Sequence, residues 1–308
     1  MRRFLSALTA GVVLTLAACS DPSSSSVAAP TSAAPAFPVT IDTADGPVTL
    51  DAQPTQIVSL SPTATEMLFA VGAGDQVIAA DDFSDYPPQA PTTDLSGFEP
   101  NVEAIAGYEP DLVVISGDPG GVVKGLEALD VPVLVQSAAV TIDDSYDQMR
   151  QLGQATGHVG EADAAVAQMQ TDIGAALAAA ADGAGMSVYH ELDDTYYSVT
   201  SDTFVGQIYE LFGMTNIADE ANGAATGYPQ LSAEYIVEAD PDLIVLADTV
   251  CCGQDAEAVA ARDGWDGLNA VEDGGVVTVD DSVASRWGPR IVEFIEAISA
   301  GVQQQGAA

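Results

Sequence analysis

The feature that most constrains this chain is a stretch that occurs twice. Residues 101–114 read NVEAIAGYEPDLVV and residues 232–245 read SAEYIVEADPDLIV, so Glu103 aligns with Glu234, Ile105 with Ile236, Pro110 with Pro241, Asp111 with Asp242 and Leu112 with Leu243. Each copy starts as a short amphipathic helix with Glu near its beginning. A Pro-Asp turn stops the helix, and branched apolar residues then read as a buried strand. The copies lie too far apart for a solenoid, whose units run to about 20–50 residues. They call for two related α/β units, and a chain of 308 residues has room for two.

Composition narrows the partners. Hydrophobic residues make up 47% of the chain, enough for a large core, while 46 Asp+Glu against 7 Lys+Arg give a formal net charge of −39. A field of that sign repels nucleic acid and anionic membrane surfaces, so no nucleic-acid partner is expected. Arg2 and Arg3 precede an apolar stretch from Leu5 to Leu16 that is too short to span a bilayer and reads as a targeting segment. The run Leu16-Ala17-Ala18-Cys19 resembles a bacterial lipobox, which implies cleavage before Cys19 and acylation of its thiol. Residues 1–19 are therefore expected to be a lipoprotein signal peptide ending in the lipobox Cys. Residues 20–37, rich in Ser, Ala and Pro, are expected to be a disordered tether.

Further along, alternation around Asp45-Gly46-Pro47 predicts a hairpin over 38–50. Ile57 to Leu60 reads as a buried strand, followed by a helix opening at Ser61-Pro62-Thr63, with Thr63 and Glu66 spaced as a capping box. Strands and helices then alternate to about residue 135, which implies a parallel sheet. From 143 to 181 the strand pattern disappears, and apolar residues at 162, 166, 169, 173 and 177 give a helical period. One helix is predicted near 143–156 and a long one near 160–181. A second α/β unit follows, with strands at 187–191 and 275–279, a second strand or the far side of a hairpin at 196–198, and a terminal helix over 288–302. The expected fold class is α/β: two α/β lobes with central, mainly parallel sheets, bridged by a single long α-helix. The N-terminal lobe is placed at 38–157, the inter-lobe helix at 158–182 and the C-terminal lobe at 183–308.

The ordered motifs match a known family. Pro54-x-x-Ile-Val-Ser-Leu-Ser-Pro-x-x-Thr-Glu66, Gly72-Ala-Gly-Asp75, Tyr86-Pro-Pro88, Pro100-Asn-Val-Glu-Ala-Ile105, Pro110-Asp-Leu-Val-Val114 and the echo in the second lobe resemble the substrate-binding proteins of ABC importers for cobalamin, ferric siderophores and haem. The resemblance implies an extracytoplasmic, lipid-anchored monomer that takes a small ligand in the cleft between its lobes and delivers it to a dimeric ABC permease. It also implies that Glu103 and Glu234 dock the lobes to the permease, where arginine can grip a carboxylate bidentately. By the same resemblance Phe83, Phe98, Ser116 and Tyr228 are ligand-binding candidates, although several of these are Trp or Tyr in the cobalamin-binding members.

Other candidates come from the residues themselves. Trp287 lies on the last cleft loop beside Arg286, which could bind a ligand carboxylate or pair with a nearby acid. His190 ends a strand predicted to reach the cleft mouth. With Tyr197 and Tyr228 it could serve as an axial ligand to haem iron. Cys251 and Cys252 are adjacent and could form a vicinal disulfide, remain as free thiols or, with His190, hold a soft metal. No resident cofactor is expected. The sequence lacks G-x-S-x-G, H-E-x-x-H, S-x-x-K and Walker motifs, so no enzymatic activity is expected either. Among ligands, a ferric chelate is favoured over a corrinoid or haem.

Overall fold

The computed structural model describes residues 36–180 and 183–305. The expected signal peptide, the lipobox Cys19 and nearly all of the tether lie outside those residues. The chain begins with the hairpin β1 (Val39–Thr43) and β2 (Gly46–Leu50), paired antiparallel. The first lobe then alternates β3 (Ile57–Leu60), α1 (Pro62–Ala70), β4 (Val77–Asp81), β5 (Thr92–Leu95), α2 (Val102–Ala106), β6 (Leu112–Ile115), α3 (Val122–Glu127) and β7 (Val133–Val135). Its five strands run parallel in the order β5-β4-β3-β6-β7.

Two helices lead out of that sheet, α4 (Ile142–Thr156) and the 21-residue α5 (Val159–Ala179). The second lobe contains β8 (Ser187–Glu191), α6 (Phe204–Leu211), β9 (Thr215–Asn216), α7 (Ala233–Ala239), β10 (Leu243–Leu246), α8 (Ala256–Ala260), α9 (Asn269–Glu272), β11 (Val276–Thr278), α10 (Asp281–Ser285) and α11 (Ile291–Gln305). Its sheet is also all parallel, ordered β11-β10-β8-β9. The fold is thus two α/β lobes bridged by one long helix. Among the described residues no helix is long and apolar enough to cross a membrane.

The repeat has a plain structural meaning. In each copy a polar residue caps the short helix: Asn101 accepts from Ala104 N, and Ser232 from Tyr235 N. The Asp of each Pro-Asp turn then reaches back to the residues entering the central strand of its sheet. Asp111 accepts from Thr55 N, Gln56 N and the Thr55 hydroxyl, and Asp242 accepts from Ser187 N and the Ser187 hydroxyl. The same carboxylate clamp therefore sets the start of β3 in one lobe and of β8 in the other.

Some local expectations are corrected. Ser61, not Thr63, caps α1, accepting from Ala64 N. Glu66 consequently turns inward rather than serving a capping box. Residues 196–198 form no strand, only a single antiparallel bridge between Tyr197 and Gln230.

A shared core ties the lobes together. Val166, Met169 and Ile173 of α5 join a continuous apolar cluster with Leu152 of α4 and Phe294, Ile295 and Ile298 of α11. The Ser299 hydroxyl donates to Ala176 O, pinning α11 onto the bridging helix.

Candidate functional site

The C-terminal ends of parallel strands are where an α/β sheet opens toward a ligand, because the loops leaving those ends diverge. In the first lobe, Ser61 follows β3, Phe83 follows β4, Phe98 follows β5 and Ser116 follows β6. The structure gathers these residues around one cavity of about 520 Å³, closed on the other side by α10 and the segment after it. Phe83, Phe98, Ser116, Arg286 and Trp287, all expected ligand residues, line it together. The apolar part of the rim is first-lobe aromatic. Phe83 and Phe98 meet edge to face at 5.7 Å and remain 53% and 76% exposed, an arrangement that leaves ring faces open to a guest.

Beneath Phe83 a buried polar chain fixes its loop. The Thr65 hydroxyl bonds the hydroxyls of Ser59 and Ser84 at 2.8 Å each, and Ser84 Oγ donates to Asp81. Burial pushes the Asp81 carboxyl up to about 6. Gly97 packs so closely over Leu60 O that a Cβ there would lie 2.5 Å from it, so the turn carrying Phe98 needs glycine at this position.

Arg286 is not left free for a ligand. Glu66, wholly buried on α1, accepts from Arg286 Nη1 at 2.8 Å and from Arg290 Nη2 at 2.7 Å and Nε at 3.2 Å. Arg286 also meets Asp85 at 2.9 Å and donates to Phe83 O at 3.0 Å. Of the two readings open for Arg286, pairing with acids is the one the geometry carries. Two second-lobe guanidinium groups therefore hold one first-lobe carboxylate at the base of the cleft. Arg290 in addition covers the Tyr86 ring, 4.3 Å from its centroid. Trp287 bridges in the same way: its Nε1 donates to Gln148 Oε1 of α4 at 2.8 Å, and its carbonyl accepts from Ser145.

The structure does not bring the remaining candidates to this cavity. His190 is completely buried, with Nδ1 2.6 Å from Tyr209 Oη and its ring against Phe294. Burial lowers its pKa to about 3, so it is a neutral core residue and not a ligand at a cleft mouth. The strand-end reading failed because Tyr209 of α6 and Phe294 of α11 pack against the His190 side chain, which the local sequence does not reveal. Tyr197 and Tyr228 stand 40% and 56% exposed on second-lobe loops and are not part of the lining. Cys251 and Cys252 are joined to each other as a vicinal disulfide, which leaves no thiolate for a metal. Among the described residues no cluster of His, Cys, Asp or Glu has the arrangement to hold a metal ion.

Sequence reasoning missed Glu66 as the inter-lobe anchor, and Asp281, Ser282 and Ser285 as cavity wall. The signal for the wall was present in Asp280-Asp281-Ser282, a helix start in which Asp280 accepts from Ser282 N and Val283 N. Glu103 and Glu234 lie in the first turns of α2 and α7, solvent-exposed and in no ion pair among the described residues.

Comparison with known proteins agrees with this architecture. The sequence pattern of the periplasmic binding protein family matches residues 57–283. The chain belongs to that family. It is 32% identical over 300 residues to the uncharacterized ABC transporter substrate-binding lipoprotein YvrC of Bacillus subtilis, covering 93% of this chain and 92% of that one. It is 35% identical over 269 residues to the cobalamin-binding protein of Halobacterium salinarum, covering 83% and 72%. Among solved structures, the siderophore-binding protein BauB, bound to two acinetobactin molecules and ferric iron, superposes with a TM-score of 0.72 at 19% identity over 87% of this chain and 99% of that one. At that identity the likeness concerns the fold of this periplasmic binding protein.

Proposed function

We propose that this protein is the extracytoplasmic substrate-binding component of an ABC importer and that its cargo is a corrinoid. The observation that carries the choice is the chemistry of the cavity lining. Its open surface is aromatic, from Phe83, Phe98 and Trp287, and its polar groups are mainly hydroxyls, from Ser61, Ser116, Ser282 and Ser285. Arg286, the cation in that lining, is already neutralised by Glu66 and Asp85. An anionic ferric chelate, the ligand favoured from sequence, finds no uncommitted positive charge there. The lining also offers no His, Tyr or thiol as an axial ligand for haem iron. A corrinoid such as cyanocobalamin has no net charge and presents a broad apolar macrocycle fringed with amides. Stacking and hydroxyl hydrogen bonds suit it. The identity shared with the halobacterial cobalamin-binding protein supports the same reading.

Delivery follows from the two related lobes. Glu103 and Glu234 occupy equivalent places and serve as paired carboxylates for a two-fold permease, while acylated Cys19 and the tether at 20–37 keep the monomer near the membrane. A competition experiment tests the cargo. The protein is incubated with equimolar cyanocobalamin, a ferric hydroxamate siderophore and haemin, separated by gel filtration, and its bound ligand identified by mass spectrometry. Recovery of the corrinoid is expected. Recovery of ferric chelate or haem instead overturns the corrinoid assignment, and recovery of none overturns a binding role for this set of cargoes.

A further inference from the structure

The Cys251–Cys252 disulfide lies outside the cavity, in an exposed turn, yet it connects to the cavity wall through one side chain. Asp281, the first residue of α10, lines the cavity and turns its carboxylate outward to that turn. Oδ1 accepts from Val250 N at 2.8 Å and Oδ2 from Cys251 N at 2.7 Å. Thr249 Oγ1 adds a bond to Val279 O at 2.8 Å. Inside the turn, Asp248 O accepts from Cys252 N and Gln254 N. Two adjacent backbone N–H groups converge on one carboxylate only while the turn keeps its shape, and a bond between neighbouring cysteines closes a small ring that removes most of its freedom. The other end of the connection is short. The Ser285 hydroxyl donates to Asp281 O, and Arg286 and Trp287 follow directly.

We propose that the vicinal disulfide is a redox-sensitive clasp: through Asp281 it positions α10 and the Arg286-Trp287 segment, and so sets the ligand affinity of the cavity. Asp281 is the positioning residue in this arrangement. The proposal rests on the cavity being the ligand site. In the reduced form the S–S bond breaks as a dithiol supplies two electrons and two protons. The products are two cysteine thiols and the oxidised, cyclic form of the dithiol. The turn then regains its freedom, and the two N–H donors no longer converge on the Asp281 carboxylate.

The test uses the purified chain, oxidised or treated with dithiothreitol, as wild type and as Asp281→Ala. Trp265 is wholly buried, so quenching by acrylamide reports mainly on Trp287. Reduction is expected to increase the quenching constant of the wild type by about half or more, with the overall melting temperature little changed. It is also expected to weaken cyanocobalamin binding about tenfold. In Asp281→Ala the oxidised protein already shows the loosened values, and reduction adds nothing. A Cys251→Ser, Cys252→Ser double variant should match the reduced wild type. Unchanged Trp287 quenching on reduction overturns the clasp whether or not any ligand binds. A clasp signal without cyanocobalamin binding supports the positioning of Trp287 by the disulfide and overturns the corrinoid reading alone. Binding that is equal in the two redox states overturns the coupling to affinity.

Discussion

Glu66 is the single residue on which most of the cleft's electrostatics depends. It is a buried carboxylate between two guanidinium groups from the other lobe. Removing one partner of a buried ion pair leaves uncompensated charge, which costs about 3–5 kcal/mol. Glu66→Ala is expected to lower the urea midpoint by a loss of that order without changing the m-value; a loss under about 1 kcal/mol would contradict the anchor role. His190 supplies a pH dependence of definite sign. Its folded-state value of about 3 lies below the ordinary 6.5, so only the unfolded chain takes up its proton between those values. Its contribution is full above pH 6.5 and is lost as pH falls toward 3, at up to about 1.4 kcal/mol per unit. His190→Gln should flatten this part of the stability profile between pH 6 and pH 4, and unfolding curves of the two proteins at those pH values check it. At this scale Phe83 and Phe98 were legible only through the family resemblance, which matched their positions to ligand residues, and both line the cavity. His190 was not: the alternation that marks β8 as a strand says nothing of which helices pack against its side chains.

At the scale of elements, the repeated helix–turn–strand unit separates residues that hold the sheet from residues left to solvent. Asp111 and Asp242 clamp their own sheets, while Glu103 and Glu234 point to solvent from the preceding helices. Replacing both glutamates with alanine is expected to leave cyanocobalamin affinity within about twofold and to abolish uptake in a reconstituted transporter; retained uptake would remove the docking assignment. Most elements could be read from the sequence because their apolar period was strong. The long bridging helix and the strands at 57–60 and 187–191 are examples. Those missed were short or nearly all polar. β5 reads Thr-Thr-Asp-Leu with one buried residue, so only pairing to β4 makes it a strand. α10 has five residues, and its capping Asp280 is the sole local signal.

Across the whole molecule, two features decide behaviour. One is the continuous core along α4, α5 and α11, reinforced by the Glu66 anchor, which makes the lobes resist wide separation. The other is a formal net charge of −39 with only 7 Lys+Arg to offset it. Such a surface repels itself in the compact state, and salt shortens the reach of that repulsion to about 8 Å near physiological strength and about 3 Å at 1 M. The melting temperature should therefore rise by several degrees between 0.05 and 1 M potassium chloride; a flat or falling trend would show that the acids are locally compensated. Ligand identity was the least legible property at this scale, since it depends on whether Arg286 is free, and that is decided by Glu66, far away in sequence. The most direct measurement is calorimetric titration of cyanocobalamin into the oxidised wild-type protein and into Phe98→Ala and Trp287→Ala variants. Saturable one-to-one binding by the wild type, weakened about ten- to a hundredfold in each variant, is the predicted result. Binding unaffected by either substitution, or no binding at all, would contradict the assignment of this cavity as a corrinoid site.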